Sequence, residues 1–328
     1  MFVTGIHVQG LRGAEDFDAS DLDRVVRLPV GPPGIAVADA LSLLVASLDA
    51  RRTPAILVSL GLARDVDRVE LLVEDGFPIQ VTLPDSSGVP ALLPPGGGRH
   101  VTVSVDVELD PPMFGRLRQL AVRDPRLVTA LGDGARVTIK VGWLFTTDLT
   151  AASISVLGIA VGETPFPVIG SEKAVWLPGL LSDIAQRFQR VGTDESADRV
   201  AQRLLEACLS PDPDRRERFR RLAQTLEGPP FQLGRLELVR FKDKVEAWFG
   251  AGLLRARQFG PSAVDALRLV EAVILESPDV LIVEAPGAAQ AHPAAVRGWL
   301  AEQASGEKAL MEQVIVVPGG AADWEGTA

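Results

Sequence analysis

Val25-Val-Arg-Leu-Pro-Val-Gly-Pro-Pro-Gly-Ile-Ala-Val-Ala-Asp-Ala-Leu-Ser-Leu-Leu-Val-Ala-Ser-Leu48 is the stretch on which the reading of this chain turns. Its first six residues read as a short apolar strand, and Gly31-Pro-Pro-Gly34 as a turn. From Ile35 to Leu48 the apolar residues fall at helical spacing, with small residues between them that allow close packing. The order is strand, glycine turn, helix.

Towards the N-terminus, Phe2 to Gly13 alternates apolar and polar residues and reads as a strand closed by a glycine turn. On the other side, from about Ala55 to Pro165, the pattern is period two: Arg68 to Val73, Ile79 to Leu83, His100 to Leu109, Arg136 to Leu144 and Ser153 to Val161. Strands with short gaps predict an antiparallel sheet. A Pro/Gly-rich surface loop, Pro84 to Arg99, and a helical insertion around Met113 to Leu131 lie between them. Lys173 to Leu226 is helical in pattern, through Leu180, Leu181, Ile184 and Phe188 and then Val200, Leu204, Leu205 and Cys208. Ser210-Pro-Asp-Pro213 breaks it before a further helix, Arg215 to Leu226. Strands at Arg235 to Phe241 and Lys244 to Phe249 follow. The chain closes on a helix at Ser262 to Leu275, a strand at Val280 to Val283, a helix at Pro293 to Ser305 and a strand at Gln313 to Val317, an α/β ending. Three regions result: an N-terminal β-rich lobe over 1–170, a helical insertion over 171–230 and a C-terminal α/β lobe over 231–328.

A chain of 328 residues can bury a large core, and its 47% hydrophobic and 23% charged content is that of an ordinary folded protein. The formal charge of −10 opposes a nucleic-acid grip by the whole surface. Cys208 is the single cysteine, which excludes an intrachain disulfide and a cysteine-based zinc site. Met1 to Gly10 lacks the pattern of a signal peptide, and the apolar run Ile35 to Leu48 is interrupted by Asp39 and Ser42, so a cytoplasmic protein without a membrane partner is expected. His7 and His100 have no metal-like partner at short spacing and read as structural, and His292, before Pro293 at a helix start, reads as a capping or simply exposed residue. Trp176-Leu-Pro-Gly-Leu-Leu181 has the spacing of core more than of a docking motif.

Read together, the two ends of the chain resemble the head domain of RecF/SMC-like ABC ATPases, a group that includes AAA-type proteins of bacterial DNA maintenance and defence. Leu11-Arg12-Gly13 followed by Val25 to Gly34 is similar to the opening strand, Leu-Arg-Gly-like turn, second strand and P-loop of that group. The P-loop pattern G-x-x-x-x-G-K-[ST] cradles phosphates with backbone N–H groups, a lysine and a magnesium-holding hydroxyl. Laid on Gly31 without gaps, its second glycine becomes Ala36, its lysine Val37 and its hydroxyl residue Ala38. If Asp39-Ala-Leu41 is matched to the Asp-Ala-Leu that often follows the motif, three loop residues are deleted instead. Either alignment removes the lysine, leaving Gly31 and Gly34 as remnants.

Phe259-Gly-Pro-Ser-Ala-Val-Asp-Ala-Leu267 resembles the Leu-Ser-x-Gly-Glu signature, with Gly260 at the serine position and Ser262 at the glycine position. Ser277-Pro-Asp-Val-Leu-Ile-Val-Glu-Ala-Pro286 is similar to the apolar strand that ends in Asp-Glu-Pro. Glu284 then stands for the metal-holding Asp and Ala285 for the water-activating Glu, and alanine cannot polarise water. Ala291-His292-Pro293 resembles the Leu-His-Pro that opens the next helix. Gln313-Val-Ile-Val-Val-Pro-Gly-Gly320 resembles the strand ending in Thr-Thr-His-Ser, with Gly319 in place of the histidine.

The resemblance implies an α/β fold, an ABC-ATPase-like head with a mixed, mostly parallel core sheet, an antiparallel β lobe and a helical insertion. With its nucleotide motifs lost, it implies a pseudo-ATPase without cofactor, metal or catalytic residue. Such a chain is expected to act as a structural or regulatory subunit beside a protein partner such as an active ATPase, in DNA maintenance or phage defence. Two other readings stay open: a divergent ATPase that engages nucleotide through Gly31, Gly34, Glu284 and Ser262, and a DNA-binding module. Arg215, Arg218 and Arg221, in a mixed-charge helical run, are the candidates for contact with an acidic partner or DNA, against the plainer reading of a solvated face.

Overall fold

The computed structural model describes the chain except for residues 75–76, 84–87, 96–97, 122–124, 132–135, 167–176, 192–196, 242–243, 251–253, 257–260, 285–292, 307–308 and 319–328. It divides into two compact units. The first comprises Met1–Asp23 and Gly31–Phe188, the second Arg24–Val30 and Gln189–Ala328.

In chain order the elements up to residue 188 are β1 (Phe2–Leu11), β2 (Ala14–Ser20), β3 (Val25–Arg27), α1 (Pro32–Leu48), α2 (Thr53–Ser59), β4 (Glu70–Glu74), β5 (Phe77–Thr82), α3 (Val89–Leu92), β6 (His100–Glu108), α4 (Pro111–Ala121), α5 (Pro125–Ala130), β7 (Arg136–Phe145), β8 (Ala151–Val161), β9 (Thr164–Phe166) and α6 (Leu177–Gln186). All but β3 belong to the first unit. There the strands form one antiparallel sheet in the order β2-β1-β6-β7-β8-β5-β4, with β9 on β8. The period-two segments of the sequence appear as β4 to β8, and Val101, Val103, Val105 and Val107 of β6 are all fully buried, as strict alternation requires. Each such side chain contributes roughly 1.5–3 kcal/mol of burial free energy.

β2 is absent from the sequence-level reading, because Ala-Glu-Asp-Phe-Asp-Ala-Ser has almost no apolar pattern. It forms as the second arm of a hairpin turned at Arg12-Gly13, with Gly13 at φ +91°. A residue with a Cβ is strained there, and glycine is not.

α1 packs on β1, β2, β5, β6 and β8. It starts at Pro32, three residues before the expected Ile35, since proline's fixed φ suits the first helical position. Almost every side chain from Ala36 to Leu48 is buried, Asp39 being the partial exception. A helix that is apolar all round belongs inside. Its Ser47 Oγ accepts a hydrogen bond from the indole N–H of the fully buried Trp143 on β7 at 2.9 Å. Arg52 donates to the carbonyls of Ala185 and, at 2.9 Å, Phe188, tying the end of α1 to the end of α6. Leu180 and Leu181 of α6 are core residues, so that part of the Trp176–Leu181 stretch does not form an exposed motif.

β10 (Phe188–Val191) starts on the last residue of the first unit and otherwise belongs to the second, which adds α7 (Ala197–Cys208), α8 (Pro213–Glu227), β11 (Leu236–Phe241), β12 (Lys244–Phe249), β13 (Leu254–Arg255), α9 (Pro261–Glu271), β14 (Val280–Glu284), α10 (Pro293–Ser305) and β15 (Gln313–Val317). β10 corrects the expectation that Lys173 to Leu226 is wholly helical. Phe188-Gln-Arg-Val191 is too short to outweigh the helical periodicity on either side.

β10, β14, β15 and β3 form a four-stranded sheet in that order, with β14 parallel to β15 and β15 parallel to β3. β14 and β15 are buried nearly throughout and read as unbroken apolar runs, as central parallel strands do. β11, β12 and β13 make a separate antiparallel sheet on which α7 packs. α9 continues into a π-helical turn, Ala272–Glu276, and contacts α7 and α8. Arg203 of α7 grips the carboxylate of Glu271, 2% exposed, through Nε–Oε1 at 2.6 Å and Nη2–Oε2 at 3.0 Å. The mixed α/β class expected from the sequence holds, with two antiparallel sheets and one that pairs β14, β15 and β3 in parallel.

Candidate functional site

In the first unit the residues laid on the P-loop are almost entirely helical. Gly31 is the N-cap of α1, at φ +78° and ψ −147°, a region essentially reserved for glycine. Conformation alone selects it, since a Cβ there would meet nothing within 4 Å. Helix starts bind anions because their first N–H groups have no intrahelical acceptor. Here Pro32 and Pro33 fill the first two helical positions and carry no N–H. The N–H of Ile35 is already bonded to the Gly31 carbonyl at 3.2 Å. Gly31 and Gly34 therefore supply the donors that remain. Ala36, Val37 and Ala38 lie one turn further in and are buried, Val37 and Ala38 completely, so these positions serve the core of the unit. The effect of the two prolines on the donors follows directly from the sequence, although no motif marks them.

In the second unit Glu284 is the last residue of β14, level with Val317 at the end of β15, while Arg27 of β3 pairs with Val316. The carboxyl end of a parallel sheet is where such folds bind ligands. Glu284 is held there by Arg190 of β10. The guanidinium donates to Oε1 from Nε at 2.7 Å and also from Nη2, and the side chains are 18% and 22% exposed. A cation bonded to this carboxylate repels a second one, so the pair opposes entry of a divalent metal at Glu284. Arg190 is absent from the sequence-level candidates because it lies 94 residues away from Glu284 on an unrecognised strand. Phe188-Gln-Arg-Val191 is apolar only at its two ends, so no local alternation marks it as a strand.

Ser262 is the second residue of α9 and is partly buried. Three residues on, burial pushes the Asp265 carboxyl above its usual range, and Arg268, at 3.5 Å, pulls the other way. Gly260, Ala285, Ala291, His292 and Gly319 lie outside the described residues.

Arg215, Arg218 and Arg221 share α8, which is capped by Asp212 through the N–H of Asp214 at 3.0 Å. All three are exposed, and Arg218 Nη1 donates to the Leu275 carbonyl at 3.2 Å. In the first unit, strand pairing sets His7 between two carboxylates, Nδ1 at 2.8 Å from Asp18 and Nε2 at 3.7 Å from Asp106. These partners are distant in sequence and escape a search at short spacing. Among the described residues no group of three or more His, Cys, Asp or Glu is arranged to hold a metal ion. Among the same residues no helix is long and apolar enough to cross a membrane.

No protein-family model and no curated protein matches this sequence. Solved structures similar to it include the SMC head domain from Thermotoga maritima, at 11% identity and a TM-score of 0.35, covering 99% of this chain and 92% of that one. The recombination mediator protein RecF-ATPrS in the RecFOR pathway is similar at 11% identity and a TM-score of 0.40, over 99% of this chain and 94% of that one. The RecF-ATP form is similar at 10% identity and a TM-score of 0.38, over 98% and 95%. These likenesses are distant.

Proposed function

We propose that this chain is an ABC-type head that has given up nucleotide chemistry and acts as a structural or regulatory subunit of a larger assembly. Its setting would be bacterial DNA maintenance or phage defence, its location cytoplasmic, and its partner an active ATPase or another subunit. The observation that carries the reading is the start of α1, where Pro32 and Pro33 remove two backbone donors and no lysine follows. A triphosphate carries about four negative charges, and two remaining N–H groups with a helix dipole of about half a charge cannot balance them.

The Arg190–Glu284 pair supports the same reading from the acidic side. A carboxylate already neutralised by an arginine is a poor magnesium ligand, and hydrolysis of ATP needs both a metal and an activated water. Losing several such parts costs orders of magnitude in rate.

The test is a calorimetric titration of the full chain with ATP and Mg²⁺, beside a phosphate-release assay. The expected result is no heat of binding at millimolar nucleotide and no release above buffer. Metal-dependent turnover would refute the proposal, as would saturable binding in the micromolar range. Capture of partners from the native cell then identifies the assembly.

A further inference from the structure

The eight-stranded sheet of the first unit ends in two edges of opposite character. β2, at one edge, exposes Asp16 and Asp18, and charged side chains on an edge strand deter further pairing. β4, at the other, is Glu70-Leu-Leu-Val-Glu74, and among the described residues it pairs with β5 alone. Leu72 is 56% exposed and Val73 45%. The register shift in the β4–β5 ladder lies opposite these two residues, its extra residue being Ile79 of β5, so β4 itself alternates: Glu70, Leu72 and Glu74 share one face, Val73 stands on the other, and both apolar side chains reach solvent. Among the described residues, then, this edge is unpaired, apolar at its centre and bracketed by two exposed glutamates.

We propose that the β4 edge receives an extended, basic-flanked segment of another protein by strand addition. The backbone N–H and C=O groups along the free side of β4 would pair with the incoming strand, and Leu72 and Val73 would meet its apolar side chains. Glu70 and Glu74, four residues and about 13 Å apart along the strand, select Lys or Arg at the matching positions. Charge complementarity argues against a second copy of this chain. Antiparallel pairing centred on Leu72 sets Glu70 of each copy against Glu74 of the other, and in-register parallel pairing sets like against like at both ends. The first unit as a whole has 14 Lys and Arg against 22 Asp and Glu, which adds longer-range attraction for a basic segment. The inference does not depend on whether the glycine turn binds nucleotide.

The test uses the full chain and two fluorescein-labelled peptides that share an alternating valine and threonine core, one with lysines four positions apart and one with glutamates there. Fluorescence anisotropy at low salt should show the lysine peptide binding about tenfold more tightly than the glutamate peptide, with the difference shrinking as salt is added. Leu72→Lys with Val73→Lys should abolish binding, while circular dichroism stays that of the parent. Glu70→Lys with Glu74→Lys should reverse the preference. Equal binding of the two peptides, no binding of the lysine peptide at millimolar concentration, or a preference untouched by that reversal would overturn the proposal. So would a concentration-dependent dimer that Leu72→Lys with Val73→Lys dissolves, since it would assign the edge to a second copy.

Discussion

At the start of α1 two prolines stand where backbone donors would be, whereas at the carboxyl end of β14 the acid is still present and an arginine from β10 holds it. The first difference is written into the backbone and can be undone only by replacing the prolines. The second is an ion pair between side chains, reversible in principle by one substitution. On the proposed reading, two regions oppose the same chemistry by different physical routes, removal in one case and occupation in the other. The proposed inactivity does not rest on a single altered residue.

The largest effect should come from trying to restore the missing cation. Val37→Lys places an ammonium in a fully buried position of α1, and we expect it to cost roughly 3–5 kcal/mol, read as a shift in the urea midpoint or as loss of soluble protein. A normally stable Val37→Lys that bound ATP would show the site to be a dormant pocket and would break the comparison. Next comes Gly31→Ala, at about 1–3 kcal/mol, because the strain lies in a φ and ψ that alanine avoids.

Arg190→Ala should cost about 1–2 kcal/mol by leaving a half-buried carboxylate without its partner. In a double-mutant cycle with Glu284→Gln the coupling should be on the order of 1 kcal/mol, and additivity would deny that the pair occupies the site. The smallest effect is expected from Pro32→Ala with Pro33→Ala, within about 1 kcal/mol in stability. These changes return two N–H groups but no cation, so calorimetry should still detect no ATP. A clear gain in affinity would make the prolines the whole of the difference.

Most of the framework was legible in the chain because its strands alternate cleanly. β6 and β7 carry their buried apolar residues at every second position, β8 does so on either side of a slip at Leu157-Gly158, and Lys244–Phe249, Pro293–Ser305 and Gln313–Val317 fall at the expected bounds. What stayed hidden had little pattern of its own. β2 is an edge hairpin arm rich in acid, and β10 is four residues between two helices. The candidate site followed the same division. Val37 and Ala38 could be read off a motif, but the partner of Glu284 depends on a strand pairing that no local spacing encodes.

The bond between Trp143 and Ser47 gives the first unit an optical reporter of its own. A fully buried indole emits at short wavelength, and its donor N–H is fixed on the helix that fills the middle of that unit. Trp299, edge-on to Phe231 at 5.2 Å between ring centroids, and Trp248 on β12 lie in the other unit. With Trp176 and Trp324, the other two of the five tryptophans, replaced throughout, changing either set of indoles to phenylalanine lets the melting of each unit be followed separately by its emission.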